Sequence, residues 1–365
     1  MKKVLLFSIT VILIFSFKKV YSQGCVAIRS NGIACTMAHP DEEDNKKYWQ
    51  LNIGYRYFKS YKHFKGTDEQ KQRQVAHNEV INYSNTVDLT LFRQLNRRWS
   101  VGISLPLVYT DRSSLYEHGG ERHTSTSYGI GDLRLIASRW ILNPGSSKKG
   151  NFQIGLGVKL PTGNYNYMAK FYNVGPDKTS EYRPVDQSIQ PGDGGLGIIT
   201  ELNGYFNLSK KLSAYTNLFY LLNPRETNGT RTYRETLSAT LANESIMSVP
   251  DQYMARVGLN YRFGGLLKNL SLLGGGRLEG IPVYDLIGGS GGFRRPGYVI
   301  SIEPGVNYFI NKLTVFATAP IALVRNRTQS VTDKENSILQ NKFVNGDAAF
   351  ADYSINFGVT YRFNK

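Results

Sequence analysis

Charged side chains recur at alternating positions along much of this chain, and they are the residues with the clearest capacity for chemistry. In an extended strand, side chains of one parity share one face. Charged residues on such a face could line a water-filled channel and bind a solute. Alternatively, they could pair with one another and fill a narrow lumen. We predict thirteen charged residues on this face: Arg56, Arg134, Lys159, Arg256, Arg262, Arg277, Arg362, Asp88, Asp132, Glu201, Glu279, Glu303 and Asp352.

Seven of these residues are basic and six are acidic, so the face is close to neutral, which argues against strong ion selectivity. A subset has the spacing expected of residues that line or narrow a lumen. The candidate lumen or constriction residues are Arg56, Arg134, Lys159, Glu201, Arg256, Arg277, Glu279, Glu303 and Arg362.

Gly192, Gly194 and Gly197 match the glycine spacing of a dinucleotide-binding loop. That loop works only between a strand and the N-terminus of a helix, where backbone N–H groups point at the pyrophosphate. Here Pro191 and a long polar segment precede the glycines, and an alternating run follows them. The glycine-rich stretch 271–297 also lacks the Lys-Ser or Lys-Thr of a phosphate-binding loop. We therefore expect no nucleotide cofactor.

His123 and Ser125 form a His-x-Ser pair of the kind used by lipid-acting barrel enzymes. The pair falls in a predicted loop, no Asn-Gly follows the serine, and no third residue is evident to orient the base. The five histidines show no metal-ligand spacing. We expect no enzyme activity, no metal and no cofactor, with a lipid-acting enzyme as the weakest alternative.

The elements that carry these side chains are strands, because apolar and polar residues alternate with a period of two. Trp49, Leu51 and Ile53, for example, alternate with Gln50 and Asn52. We count twelve such runs, beginning at 49 and covering 79–92, 99–109, 128–140, 151–160, 194–206, 212–222, 252–263, 269–280, 298–309, 313–325 and 350–363.

The connections between these runs alternate strictly between short and long. Short connections such as 95–98 and 310–312 alternate with long polar segments such as 161–193 and 223–251. This order is typical of a twelve-stranded antiparallel up-and-down transmembrane β-barrel, with short periplasmic turns and long extracellular loops. The runs are also long enough to cross a membrane. Trp49, Trp99 and Trp140 all fall at the short-turn end, as in an aromatic girdle.

The first 22 residues combine lysines with an apolar run from Val4 to Phe17 and predict a cleaved signal peptide rather than a retained anchor or a lipoprotein leader. Its removal takes four lysines away and lowers the formal charge from +16 to +12. Residues 23–47 form a periplasmic segment in which Cys25 and Cys35 are expected to pair as a disulfide. Residues 48–365 form the barrel.

The stretch 271–297 divides at Pro282, which should end a strand. We predict that Gly274 and Gly276 face lipid and that Arg277 and Glu279 point inward. Beyond Pro282 we expect an external loop with Arg294 and Arg295 at its rim. This region is the predicted constriction.

Three motifs carry a resemblance to a known family: "GIGDLRLIASRW", "GLGVKLPTGNYN" and "QPGDGGLG". Together they resemble the outer-membrane family named for the phenol meta-degradation pathway. The resemblance covers the middle of the barrel and implies transport of small, often hydrophobic molecules, without implying catalytic residues.

We therefore predict an outer-membrane channel or transporter of a Gram-negative bacterium for small, hydrophobic or aromatic solutes. The main alternative is a structural or surface-interaction barrel. Expected partners are outer-membrane lipid, lipopolysaccharide at the basic loops and the solute, with no nucleic acid. The sequence does not define the oligomeric state.

Overall fold

The computed structural model describes residues 47–234 and 237–363. The predicted signal peptide and the Cys25–Cys35 disulfide lie outside these described residues.

Twelve antiparallel strands, β1 to β12, form a closed up-and-down barrel. Each strand pairs with the next along the chain, and β12 pairs with β1 from Trp49 opposite Phe363 to Phe64 opposite Ala348. Closure removes the free edges that an open sheet would expose in a bilayer. The strands are β1 Trp49–Lys65, β2 Ile81–Gln94, β3 Trp99–Ser114, β4 His123–Ile130 with Leu133–Trp140, β5 Gly150–Leu160, β6 Gly197–Asn207, β7 Leu212–Leu222, β8 Gln252–Arg262, β9 Leu270–Ile281, β10 Gly297–Ile302 with Gly305–Ile310, β11 Leu313–Thr318 with Ile321–Arg327, and β12 Ala348–Phe363.

Three of the twelve strands are interrupted. β4 breaks at Gly131-Asp132, β10 at Glu303-Pro304 and β11 at Ala319-Pro320. Proline has no N–H to give to the ladder, so Pro304 and Pro320 end regular pairing where they stand. The two proline breaks are neighbours, because Ala319 N donates to Pro304 O at 3.0 Å.

The predicted fold is confirmed in strand number, direction and order. The outer ends differ, because β1 continues to Lys65, β3 continues to Ser114 and β4 begins at His123. The prediction that the His123–Ser125 pair lies in a loop is therefore wrong. These strand ends project past the hydrocarbon layer, where neither face must be apolar, so the alternation that marks a strand fades there.

The outward face of the barrel is a band of exposed apolar side chains. Leu156 is 61% exposed and Phe357 is 47% exposed, while their strand neighbours Gly155 and Asn356 are buried. Such a continuous apolar surface would be a liability in water and matches the hydrocarbon core of a bilayer. Gly274 and Gly276 lie on this outer face, as predicted.

The long connections carry short elements of their own. Phe171, Val185 and Ile189 form a buried apolar cluster within the loop between β5 and β6. No helix among the described residues is long and apolar enough to cross a membrane. The helices are α1 Gln72–Val75 and α2 Val331–Leu339, with 3-10 turns at Pro176–Lys178, Gln187–Ile189, Ala239–Glu244 and Gly265–Leu267. Short paired strands lie at Asp68–Glu69, Met168–Phe171, Glu181–Pro184, Thr227–Arg231 and Ile246–Ser248.

Candidate functional site

A chain of ion pairs lies inside the barrel at the middle of β8, β9 and β10. Arg256 and Arg277 stand directly opposite each other in the ladder between β8 and β9, where two like charges would repel. The carboxylate of Glu303 resolves this conflict. Arg256 donates to it at 2.7 and 2.9 Å, and Arg277 Nη1 lies 3.7 Å from it. The break at Pro304 follows Glu303 directly and helps to present its side chain to both arginines.

The same chain of ion pairs reaches across the lumen to β1. Arg277 Nη2 lies 2.6 Å from Glu279, and Glu279 accepts from Arg56 at 3.2 Å. Around the barrel wall, β1 is the fourth strand after β9, so the contact between Arg56 and Glu279 crosses the interior of the barrel. We call Arg56, Glu279, Arg277, Glu303 and Arg256 the lumen chain. Its side chains are almost entirely buried.

Full pairing decides what the lumen chain can do. Buried charges are tolerated when each has an opposite charge and hydrogen bonds, and Glu303 also accepts from Thr318 Oγ1 at 3.1 Å. Each member of the lumen chain has an ion-pair partner, but three arginines share two glutamates, so the lumen chain carries one net positive charge. A solute that passes must move around it or displace one of its contacts.

An apolar patch lies beside the lumen chain on the inward face. Ile199, Phe219, Leu221 and Met254 form one buried cluster, and Ile136 packs against it. We call these five residues the lumen patch. The ladder aligns Glu201 with Phe219, Phe219 with Met254, and Met254 with Glu279, so the patch separates two acidic residues of the wall.

The lumen patch was not predicted from the sequence, because the inward face was expected to carry polar residues. A signal was present in the consecutive apolar pairs Ile198-Ile199 and Leu218-Phe219. Two adjacent apolar residues in a strand place one on each face. Runs of this kind therefore mark strands that are apolar on both faces.

Two glycines of β5 give the lumen patch its room. Gly157 stands between Ile136 and Ile199 in the ladder, opposite each of them. A Cβ atom at Gly157 would lie 2.3 Å from the backbone oxygen of Leu135. A Cβ atom at Gly155 would lie 2.9 Å from Ile136 Cδ1. Because Gly155 and Gly157 have no side chains, the side chains of β4 and β6 can meet across the inward face of β5.

The three sequence motifs meet at the break in β4, beside the outer end of β5. The carboxylate of Asp132 accepts the N–H of Gly163 at 3.0 Å and the N–H of Asp193 at 3.0 Å. Thr162 Oγ1 accepts from Leu133 N at 2.8 Å and donates to Gly131 O at 3.1 Å. The break in β4 therefore exposes groups that bind both ends of the loop between β5 and β6.

Lys159 completes this cluster from the inward face of β5. Its ammonium binds the carboxylate of Asp193 and lies 3.9 Å from Asp132. Lys159 is buried, and the two carboxylates compensate its charge. Lys159, a candidate lumen residue, thus holds Asp193 in place where the loop between β5 and β6 returns to the barrel wall.

A second buried cluster joins the loops above the lumen. Arg295 donates to Asp186 at 2.8 Å, and Asp186 also lies 3.4 Å from Arg112. Burial alone would raise the pKa of Asp186, but Arg112 and Arg295 outweigh it and hold that pKa far below its usual range. Arg112 in turn binds Glu117. We call Arg112, Glu117, Asp186 and Arg295 the loop cluster.

Arg294 and Arg295, the predicted rim residues, each bind a carboxylate of the loops. Arg294 donates to Asp285 at 2.7 and 3.0 Å, and the Arg294 and Asp285 side chains are buried. Each arginine has a carboxylate partner within the loops, and a paired charge can be buried where an unpaired one cannot.

The remaining candidate residues lie apart from the lumen chain. Arg134 is buried in β4 opposite Lys159, and Glu201 is buried in β6 opposite Phe219. Arg362 lies near the short-turn end of β12, where it donates to Gln50 Oε1 at 3.0 Å. Arg362 is thus far along the strand from the predicted constriction.

Ser125 contacts a histidine, but the partner is His118. Ser125 Oγ lies 3.4 Å from His118 Nε2, and the backbone N–H of Tyr172 donates to His118 Nδ1 at 3.2 Å. A histidine that accepts at Nδ1 carries its proton on Nε2, so it cannot take the proton of the serine. His123 instead stacks on Tyr172 with ring centroids 4.3 Å apart. In the described ranges, no three His, Cys, Asp or Glu side chains cluster as metal ligands.

A closed barrel of twelve long strands with an apolar outer band and polar interior defines the class of outer-membrane β-barrels. No family model matches the chain, and no curated protein matches its sequence, so the family suggested by the three motifs stays a prediction.

The chain is similar to solved structures of this class, and one of them, with a TM-score above 0.5, shares its fold. The COG4313 outer membrane channel of Pseudomonas putida F1 is 14% identical, with a TM-score of 0.58 over 88% of this chain and 98% of that one. The β domain of the Bordetella autotransporter BrkA is 12% identical, with a TM-score of 0.45 over 87% and 100% of the two chains. The toluene transporter TodX of Pseudomonas putida is 10% identical, with a TM-score of 0.42 over 94% and 96%.

Proposed function

We propose that this protein is an outer-membrane channel that admits small solutes with apolar character. The observation that carries the proposal is the lumen patch. Ile199, Phe219, Leu221 and Met254 are apolar side chains on the inward face of a membrane barrel, where a purely aqueous pore would favour polar ones. The shared fold with an outer membrane channel supports the same class of function.

The arrangement of the lumen chain favours a narrow, selective path over an open pore. Arg56 and Glu279 meet across the interior, and the patch adjoins them through Met254. An apolar solute on the patch would lose water and gain buried contact, at about 25 cal/mol per Å² of apolar area. Ions would gain no such benefit and would meet charged side chains that already bind one another.

The test measures two kinds of passage with the purified barrel. Conductance in planar bilayers reports ion flow, and uptake into proteoliposomes reports entry of an uncharged aromatic probe such as a naphthol. We expect small ion conductance and probe uptake well above that of empty liposomes. A silent barrel that takes up neither ions nor the probe would overturn the proposal.

A matched pair of variants locates the path. Phe219→Asn places a polar group in the lumen patch and should lower probe uptake several-fold while ion conductance holds. Phe316→Asn makes the same change at another buried phenylalanine, on β11 and outside the patch, and should leave probe uptake at the original level. Equal loss in both variants would count against the patch.

Surface interaction is the second candidate function, and one observation favours it. The loop between β11 and β12 carries Ile338, Leu339 and Phe343, each at least 76% exposed. Exposed apolar groups at a loop tip are suited to contact another surface. A barrel that conducts nothing but loses cell-surface adhesion on Phe343→Ser would support this function in place of transport.

A further inference from the structure

A lysine lies on the outward face of the barrel wall, where most side chains are apolar. Lys59 comes directly before Ser60 in β1, and Ser60 is buried inside the barrel, where it accepts from Asn82 Nδ2 at 2.9 Å. Successive side chains of a strand point to opposite faces, so Lys59 and its ladder partner Tyr83 point outward. Lys59 is thus a half-buried cation on the lipid side of a membrane barrel.

A second cation at the other end of the same two strands gives the depth of Lys59. Trp49 of β1 stands opposite Arg93 of β2, and Arg93 Cζ lies 5.0 Å from the centre of the Trp49 ring. This pair lies at the short-turn end, ten residues along β1 from Lys59. At about 3.4 Å per residue and a tilt of about 40°, ten residues rise about 26 Å, which matches the apolar band of an outer-membrane barrel. Lys59 therefore lies at the outer boundary of the hydrocarbon.

Aromatic rings surround the Lys59 ammonium. Its Nζ lies 4.7 Å from the ring centre of Tyr61 and 5.4 Å from that of Tyr83. Among the residues that the structure describes, none places a carboxylate within 4 Å of this nitrogen. A cation–π contact attracts the ammonium but leaves its charge in place. Lys59 therefore presents a positive charge to the lipid.

The acidic residues of the neighbouring strands do not compensate this charge. Asp352 of β12 is bound by Lys62, 2.9 Å away. Asp111 of β3 stands opposite Tyr83, so β2 separates it from Lys59 by two strand spacings, or about 10 Å. An anion of the surrounding lipid can therefore bind Lys59 without displacing a carboxylate.

The surface next to Lys59 suits the apolar part of a lipid. Ile53 and Tyr55 of β1 and Ile355 of β12 are exposed on the same outward face, between Lys59 and the short-turn end. The hydroxyl of Tyr83 is a hydrogen-bond donor beside the ammonium. The wall thus offers a cation and a donor at the hydrocarbon boundary, with an apolar surface directly below them.

We propose that Lys59, Tyr61 and Tyr83 form a binding site for a phosphate group of lipopolysaccharide, the anionic lipid of the outer leaflet. This lipid carries phosphate groups next to its acyl chains, at the depth where Lys59 lies. The ammonium donates to the phosphate oxygens, and the acyl chains lie along the apolar wall. The site is on the barrel wall and not in the basic loops, and it does not depend on the proposed channel function.

The first experiment measures lipid binding to the purified barrel by native mass spectrometry, in detergent that contains EDTA. The probes are bisphosphorylated lipid A, the same lipid without its phosphates, and phosphatidylglycerol. EDTA removes divalent cations that could bridge a phosphate to Asp111. Lys59→Met tests the site. Lys149→Met is the matched control, because Lys149 Nζ lies 5.6 Å from the ring centre of Phe206 at the short-turn end.

We expect Lys59→Met to lower the affinity for bisphosphorylated lipid A about fivefold, as for the loss of one lysine beside a phosphate. Lys149→Met should bind this lipid as the original protein does, and lipid A without phosphates should not distinguish Lys59→Met from the original. Equal affinity of Lys59→Met and the original protein for the bisphosphorylated lipid would overturn the proposal, as would an equal loss in Lys149→Met. Phosphatidylglycerol that binds as tightly as lipid A would refute the assignment to lipopolysaccharide.

The second experiment separates the charge of Lys59 from a structural role. Lys59→Arg keeps the positive charge and should retain most of the affinity for bisphosphorylated lipid A. Tyr83→Phe keeps the ring but removes the hydroxyl, and its affinity should lie between those of the original protein and Lys59→Met. Gel mobility before and after boiling shows that each variant is folded. A folded Lys59→Arg barrel that binds as poorly as Lys59→Met would contradict a site built on charge.

Discussion

Asp132 binds Gly163 across the top of the barrel wall, carboxylate to backbone N–H at 3.0 Å. Asp132 stands in the break of β4 and Gly163 just beyond the end of β5. A second N–H, from Asp193, reaches the same carboxylate from the far end of the loop. One side chain therefore determines where the loop between β5 and β6 leaves the wall and where it returns.

Asp132→Ala should destabilise the barrel by about 1–3 kcal/mol, because two buried N–H groups lose their acceptor. The free energy of unfolding in urea is the measurement, with protease cleavage of residues 164–190 as a local probe. Asp132→Asn retains one acceptor oxygen, so its free energy of unfolding should lie between those of the original protein and Asp132→Ala. Unchanged stability in Asp132→Ala would show that water accepts from the two N–H groups in place of the carboxylate.

Arg56→Met should increase single-channel conductance and shift selectivity toward cations. The change removes the contact across the lumen and one positive charge, while Glu279 keeps Arg277 as a partner. Arg362→Met removes the same charge near the short-turn end, away from the lumen chain, and should have a smaller effect on both quantities. If the two variants have the same conductance, the Arg56–Glu279 ion pair between β1 and β9 does not limit the flow of ions.

Gly157→Val should prevent proper folding, since its Cβ would lie 2.3 Å from a backbone oxygen that cannot move freely. Gly276→Val is the matched control, because nothing lies within 4 Å of a Cβ there and the position faces lipid. The folded fraction is measured by the difference in gel mobility before and after boiling. A well-folded Gly157→Val barrel would mean that β4 and β5 can separate locally without loss of the fold.

Acid should loosen the loops around His118. Burial, together with the nearby His123 and Arg112, lowers the pKa of His118 to about 4. The group is therefore neutral in the fold while its unfolded counterpart binds a proton below its ordinary pKa of about 6.5. The stability linked to neutral His118 is complete above that pH and is lost as the pH falls toward 4. Protonation at Nδ1 would also displace the N–H of Tyr172.

Hydrogen exchange of residues 115–123 and 168–173 tests this prediction, and we expect their protection factors, which correct for the intrinsic pH dependence of exchange, to fall between pH 6.5 and 4. His118→Gln should remove the pH dependence. The Asp186 contacts should persist over the same range. The depressed pKa of Asp186 makes its stabilisation complete above the usual carboxyl pKa, and that stabilisation is lost only as the pH falls through the lower value in the fold. If protection around His118 and the contacts of Asp186 are lost at the same pH, the two regions open as one unit.

The sequence predicts the strands well and the interior only in part. Lipid imposes an apolar outer face, so the alternation around Phe357 or Leu156 reveals each strand and its parity. No comparable rule applies inside, where Phe219 and Arg256 both face the lumen. Loop contacts are harder still, because Arg295 and Asp186 are 109 residues apart and their pairing depends on two loop paths. The Arg112–Asp186–Arg295 contacts become visible only when those paths are known.

The two neighbouring breaks at Pro304 and Pro320 divide the barrel wall mechanically. Above them, the outer segments of β10 and β11 are joined to each other and, along the length of β10, to β9 from Gly276 opposite Ile302 to Ile281 opposite Gly297. Among the described residues, their other edge has one ladder pair with β12, and the remaining contacts there are isolated hydrogen bonds, such as those of Arg325 with Ala351 O and Asp352. Ten strands thus form a stiff shell, while two half-strands form a flap with one firm edge and one loose edge. Under thermal or osmotic stress, this flap should be the most compliant part of the wall.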